Sequence, residues 1–257
     1  MIKYYISLAL FIILEAASIV LFYHNYISLI IPIACVIIYI SLLAFFSFNI
    51  SSQFYIPAIC SGSQKKKHIS LTFDDGPLRK YTPEILDILA SHKVKAAFFC
   101  TGKSIKLNKD IAERISAEGH IIGNHTWSHS YWFDFFTSKM MLNELQETDK
   151  IIKEITGSKP LLFRPPYGVT NPALSRALKK MDYTVIGWSF RTYDTIIKDQ
   201  KKMIDRIIRK IDIGSILNFH DYNANMISIL PELITAVRNE GFSIEPLNIL
   251  IERKPYV

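Results

Sequence analysis

Two carboxylates stand side by side in the stretch Leu71–Pro77, L-T-F-D-D-G-P, and two histidines stand four apart in His125-Thr126-Trp127-Ser128-His129. Adjacent aspartates resist joint ionisation because like charges at that distance repel. Asp74 and Asp75 therefore require a compensating positive charge, and a divalent metal is the usual one. An isolated D-D-G-P also reads as an Asx-type turn that caps the next helix. Histidines at this spacing project from one side of a helical turn, close enough for both imidazoles to reach one ion. A surface histidine pair is the plain alternative. One carboxylate added to two imidazoles makes a facial set of three ligands with open positions, the pattern of a catalytic rather than a structural metal. Such a site activates water and polarises a carbonyl.

These residues need strands and turns to present them. Ile69, Leu71 and Phe73 alternate as one face of a strand, and Gly76-Pro77 force the turn behind the carboxylates. Further strands are expected at Ala96–Cys100, Ile121–Ile122, Leu161–Phe163, Thr184–Trp188, Ser215–Phe219 and Ser243–Ile244. Amphipathic helices are expected at Pro83–His92, Lys109–Ala117, Lys139–Thr156, Pro172–Met181, Lys201–Lys210 and Ser228–Asn239. Thr82-Pro83-Glu84 and Asn171-Pro172 have the form of helix starts, while Gly119, Gly157 and Gly241 suit left-handed caps. Strand and helix in alternation imply parallel strands with crossover helices, hence an α/β barrel or open sheet. Polar and titratable clusters recur at the strand C-terminal ends: Asp74-Asp75, His125, Arg164–Gly168, Arg191–Asp194 and His220-Asp221. That end is where such folds gather their functional groups.

The chain of 257 residues is 49% hydrophobic with a net charge of +7, an average over two unlike parts. Tyr4–Tyr23 and Ile27–Phe48 are nearly uncharged, with Glu15 as the sole acid, and each is long enough to span roughly 30 Å of hydrocarbon as a helix. They read as a transmembrane hairpin over residues 1–50, followed by a linker (51–67) and one soluble domain (68–257). A cleaved signal peptide competes for the first span, given Lys3 and Ala16-Ala17-Ser18, but the apolar run resumes at once with Ile19–Phe22. Lys3 and Lys65-Lys66-Lys67 lie at the two ends of the hairpin, which by the positive-inside rule places the domain in the cytoplasm. Cys35, Cys60 and Cys100 make no disulfide framework. Nucleic acid is not an expected partner, since the positive charge comes without an aromatic-basic platform.

T-F-D-D-G-P, N-H-T-W-S-H, R-P-P-Y-G and a late H-D occur here in the order found in the polysaccharide deacetylases, carbohydrate esterase family four with the NodB-homology domain, which the chain from about Lys67 to Leu250 resembles. The resemblance implies a distorted (β/α) barrel with fewer than eight repeats. It implies a divalent metal ion, zinc first, with cobalt, nickel or manganese as alternatives. By the same resemblance Asp75, His125 and His129 are the metal ligands, and Asp74 is the base that deprotonates the attacking water. Arg164 orients that base, Tyr167 offers its backbone N–H to the oxyanion, and His220 protonates the departing amine. Tyr167, Pro166 and Trp127 are candidate substrate contacts. The implied reaction is removal of the N-acetyl group from an amino sugar of a glycan, on a bacterial cell membrane and, by the family, outside the cytoplasm.

Two motifs depart from the pattern, at three positions. Arg191 stands where the family has the acid that supports the catalytic histidine, and Thr195 where it has a tryptophan. Asp194 remains, to partner Arg191 or to support His220. Asn218 replaces a leucine two residues before His220. These changes leave room for two other expectations: a deacylase or deformylase of a lipid-linked sugar precursor, and a catalytically weakened sugar-binding envelope protein.

Overall fold

The computed structural model describes residues 2–222 and 224–257. Ile69, Leu71 and Phe73 of β1 (His68–Asp74) point into one layer of core, while Ser70, Thr72 and Asp74 point the other way. The period-two alternation of a strand thus puts apolar side chains under the helices and polar ones toward the interior of the curl. Seven strands form one parallel path, β5-β4-β3-β2-β1-β7-β6, and β8 (Ser243–Ile244) pairs with the start of β1. The others are β2 (Ala97–Cys100), β3 (Ile121–Asn124), β4 (Leu162–Phe163), β5 (Thr184–Val185), β6 (Phe190–Arg191) and β7 (Ile216–His220). The sheet is a curled half-barrel, as expected. Thr184–Trp188 does not continue as one strand. The chain leaves β5 after Val185, and Phe190–Arg191 forms a separate strand against β7.

The outer helices of the domain begin with α3 (Thr82–Ser91) and α5 (Lys109–Ala117), and α6 (Ser138–Thr156) ends at Gly157 in the left-handed conformation. Asn171 caps α7 (Pro172–Leu178) through its Oδ1, which accepts from the Leu174 N–H at 2.8 Å. The amphipathic α8 (Gln200–Ile208) and α9 (Ala224–Asn239) complete the layer with the short α10 (Leu247–Leu250). α4 (Gly102–Leu107), too short to show a helical period, has no counterpart among the expected helices.

At the N-terminus α1 (Ile2–Tyr23) and α2 (Ile30–Phe48) form two exposed apolar helices packed on each other, with Phe11 stacked on Tyr39 at 4.1 Å. α2 begins later than Ile27, with Pro32 in its first turn, where proline's missing N–H costs no helical hydrogen bond. The stretch after α2 is ordered against the domain. Ile50, Phe54, Tyr55, Ile56 and Ala58 are buried in a cluster with Phe163, Leu174 and Val185, and Ile59 forms a parallel bridge to Ile186. Ser61 then bridges Ser215, so this stretch lies along the gap between β5 and β7.

Candidate active site

The interior polar face of β1 ends in Asp74, whose register partner on β7 is His220. Asp75, next in the chain, turns away at φ 78, and its N–H donates to the Phe99 carbonyl at 3.2 Å. Two neighbouring carboxylates are thereby aimed at different partners. Gly76 is required for this turn, because a Cβ there would lie 1.8 Å from Asp221 Oδ2. Asp221 is fully buried; burial, with the charges of Asp75 and Asp74, pushes its carboxyl up to about 7 against the hydrogen bond from Thr82. The Thr82 hydroxyl donates to Asp221 at 2.6 Å and accepts from the Leu78 N–H at 2.7 Å. Thr82 therefore braces the aspartate turn from the first turn of α3, in place of the expected N-cap role.

His125 and His129 converge, but through a loop and not one face of a helical turn. Thr126 and His129 adopt left-handed φ of 65 and 47, which reverses the chain between the two imidazoles. Hydrogen bonds hold that costly conformation. Asn124 Oδ1 accepts from the Thr126 N–H at 2.8 Å, and Thr126 Oγ1 accepts from the His129 N–H at 3.2 Å. Glu144 of α6 receives the N–H groups of Trp127 and Ser128 at 3.0 and 2.8 Å. Neither Glu144 nor Asn124 carries a motif that spacing could flag. Five non-glycine residues with positive φ line the site or its loops: Asp75, Thr126, His129, Tyr167 and Tyr193. Each such residue costs on the order of 1–3 kcal/mol, and this strain concentrates at functional sites.

The ligand atoms of Asp75, His125 and His129 lie within 4.8 Å of one another. Asp75 Oδ1 is 3.5 Å from His125 Nε2 and 3.3 Å from His129 Nε2, and it is a buried oxygen without a hydrogen-bond donor. His125 Nδ1 is 2.7 Å from the Arg164 carbonyl, which can only accept, so Nδ1 carries a proton and, in the neutral ring, Nε2 is the lone pair that faces Asp75 and His129. Burial alone would raise Asp75; the neighbouring His125 imidazole, with His129 and His220, outweighs it and holds the carboxyl at about 2. Burial and the adjacent His125 push His129 down to about 4, so it stays neutral. A carboxylate and two imidazoles converging on one point suit a divalent ion such as zinc, which would take the place of the proton that, despite burial, the nearby Asp74 and Asp75 carboxylates favour on His125.

Arg164 is fully buried, although an uncompensated guanidinium there would be expensive. Its Nη1 lies 2.7 Å from Asp74 Oδ1, 2.8 Å from Thr72 Oγ1 and 2.9 Å from Asn218 Oδ1. Nη2 donates to the Gly187 carbonyl at 2.8 Å, and the plane covers the Phe99 ring at 4.1 Å. Asn218 is thus part of the arginine's cage, a role leucine cannot fill. Asp194 takes its place beside His220 and not beside Arg191. Its carboxylate receives the His220 N–H at 2.8 Å and lies 3.1 Å from Nδ1. Burial would lower His220, but Asp194 and the more distant Asp74 and Asp75 raise it to about 9.

Asp74, Asp75, His125, His129, Tyr167, Asp194, Arg191 and His220 line one cavity of about 470 Å³, together with Phe48, Trp188, Thr195, Asn218 and Tyr222. Tyr167 sits at φ 56 with its ring 4.6 Å from that of His129. Pro166 is buried beneath it. Trp127 lies outside the cavity, its ring packed where a Cβ on Gly102 would be 2.2 Å away.

The curled parallel sheet thus gathers three candidate metal ligands and a buried arginine–aspartate pair at its strand C-terminal ends, where folds of this class place their functional groups. The chain belongs to the polysaccharide deacetylase family, hydrolases of carbon–nitrogen bonds other than peptide bonds; the sequence model of that family matches residues 61–186. The chain is 32% identical over 197 residues to the peptidoglycan-N-acetylmuramic acid deacetylase PdaA of Bacillus subtilis, covering 75% of this chain and 74% of that one. It is 30% identical over 192 residues to the peptidoglycan-N-acetylglucosamine deacetylase PgdA of Listeria monocytogenes, covering 75% of this chain and 40% of the relative. Among solved structures, the Bc1960 peptidoglycan N-acetylglucosamine deacetylase superposes with a TM-score of 0.72 at 28% identity, over 77% of this chain and 94% of that one. BA3943 of Bacillus anthracis, described as a pseudoenzyme of carbohydrate esterase family four, superposes at 0.70 with 28% identity, over 76% and 68%. Fold alone therefore does not separate an enzyme from an inactive member. The residues of the site must do so.

Proposed function

We propose that this chain is a membrane-anchored, metal-dependent deacetylase that hydrolyses the N-acetyl group of an amino sugar in a glycan, releasing acetate and a free amine. The observation that carries the reading is the division of labour in one cavity. Asp74 is locked by the buried Arg164, Asp75 faces two imidazoles, and His220 is held by Asp194. Amide hydrolysis needs an activated water, stabilisation of the oxyanion and a proton for a poor leaving group. Asp75, His125 and His129 would hold the ion, which when bound supplies a Lewis acid and a more acidic water. Asp74, oriented by Arg164 at 2.7 Å, accepts the water's proton. The backbone of Tyr167 supports the oxyanion. His220, kept protonated by Asp194, gives its proton to the amine nitrogen as the C–N bond breaks. The relatives named above act on peptidoglycan amino sugars, which supports an N-acetylated glycan as substrate.

Membrane attachment is supported by the two exposed apolar helices and by the seating of the first residues. The Lys3 ammonium reaches the Ser52 carbonyl at 3.3 Å, and the Tyr4 ring packs on Phe54 and Tyr55. These contacts support a reading in which the first helix is retained and the hairpin (1–50), the connecting stretch (51–67) and the catalytic domain (68–257) act as one unit. In Asp75→Ala and His125→Ala variants, both metal retention and acetate release from an N-acetylated oligosaccharide are expected to vanish. Full activity in either variant overturns the reading.

A further inference from the structure

Phe48 is the last residue of α2 and also a wall of the cavity that holds Asp74, Asp75 and His220. The 19 residues of α2 span about 28 Å at 1.5 Å per residue, close to the thickness of a bilayer's hydrocarbon. On the membrane-anchored reading Phe48 stands where hydrocarbon gives way to head groups, which brings the cavity it lines to that level. The seat is fixed. The Thr170 N–H donates to the Ser47 carbonyl at 3.0 Å, and the Tyr55 hydroxyl reaches back to the Leu43 carbonyl at 3.2 Å. The domain cannot swing its cavity away from the helix end without breaking these bonds and exposing the buried Ile50, Phe54 and Tyr55.

Arg191 lines the same cavity and is exposed. The acids around it are engaged elsewhere: Asp74 with Arg164, Asp75 with the histidine pair, and Asp194 with His220. Among the described residues Arg191 makes no ion pair. It lies 5.4 Å over the Trp188 ring and makes one long contact, at 3.4 Å, to the Tyr167 carbonyl. Arg206 stands behind it, 3.4 Å from its carbonyl oxygen, and adds a second positive charge. A guanidinium stacked on an aromatic ring keeps its in-plane N–H fork free for a carboxylate or phosphate.

Building on the deacetylase reading, we propose that Phe48 and Arg191 form a substrate subsite that takes an N-acyl amino sugar bearing an anionic group and presented from the bilayer surface. The apolar ring meets the membrane-side edge of the substrate, and the guanidinium meets the anion. That anion is either the phosphate that joins a sugar to its lipid or a carboxylate on the glycan.

The test uses the zinc-loaded full chain in phosphatidylcholine nanodiscs, reading kcat/KM for acetate release. The substrates are a phosphoryl-lipid N-acetylglucosamine, a carboxylate-bearing N-acetylated glycolipid, a neutral alkyl N-acetylglucosaminide and the same sugars free of lipid. The expected result is at least a tenfold preference for an anionic over the neutral lipid-borne sugar, with the two anionic arms telling phosphate from carboxylate. In Arg191→Gln that preference falls toward one, and Arg191→Lys restores part of it. In Phe48→Ala the preference for lipid-borne over free sugar falls. Equal turnover of neutral and anionic sugars by the native chain overturns the subsite and leaves the deacetylase reading standing. No turnover of any N-acetyl sugar removes both.

Discussion

In the proposed mechanism Arg164 and Asp194 perform matching tasks, one orienting the base Asp74 at 2.7 Å and the other holding the acid His220 in its protonated form. The pairing of His220 with Asp194 has a sign that can be worked through. Its imidazole is raised to about 9, so the proton-donating form persists through neutrality and is lost as pH rises through that value. Activity is expected to fall on the alkaline side there. In Asp194→Asn the carboxylate is gone and the His220 pKa drops toward the ordinary value of about 6.5. The alkaline limb of the kcat/KM profile should then move down by more than about one pH unit, since Asp194 is the largest raising influence. A limb that stays in place would show that another group delivers the proton.

At the scale of elements, the ligand set depends on a loop that cannot hold itself. Left-handed residues at Thr126 and His129 bring the imidazoles together, and α6 holds them there through one carboxylate. Glu144 is therefore a positioning residue, holding the backbone of the loop between the two imidazoles. Groups of this kind set the orientation of metal ligands, and their loss typically costs about 10–100-fold in metal affinity. Glu144→Ala is expected to lower zinc affinity by that factor in chelator competition while circular dichroism shows the fold retained. Unchanged affinity would mean that the Asn124 and Thr126 hydrogen bonds suffice.

For the whole molecule, the stretch between hairpin and domain behaves as core. Ile50, Phe54, Tyr55 and Ile56 are each less than a tenth exposed, and Ile59 and Ser61 bridge to the barrel. Burying a large apolar side chain contributes about 1.5–3 kcal/mol, so losing four costs several kcal/mol. For a domain of this size about 1 kcal/mol corresponds to roughly 2–4 °C in melting temperature. A chain beginning at Asn49 is expected to melt at least about 10 °C above one beginning at His68, by differential scanning calorimetry. Equal midpoints would show that the stretch is only a tether.

The chemistry was legible in the sequence because it depends on residue types at short spacing. D-D-G-P and H-x-x-x-H bring residue types that suit a metal within a few residues, R-P-P-Y-G gains its role through the family resemblance, and strand alternation placed all three at one end of a parallel sheet. The apolar spans and most helices were legible for the same reason, since their periods are local. Only the tertiary structure decided how Arg191 and Asp194 divide their work, because that depended on which of them β7 brings next to His220. The bracing roles of Glu144, Asn218 and Asp221 likewise come from elements far apart in the chain, joined by hydrogen bonds that no periodicity encodes. The presence of Phe48 in the catalytic cavity is the furthest case. Its short-range pattern is that of any membrane helix, and its place beside Asp74 and Asp75 follows from how the hairpin docks.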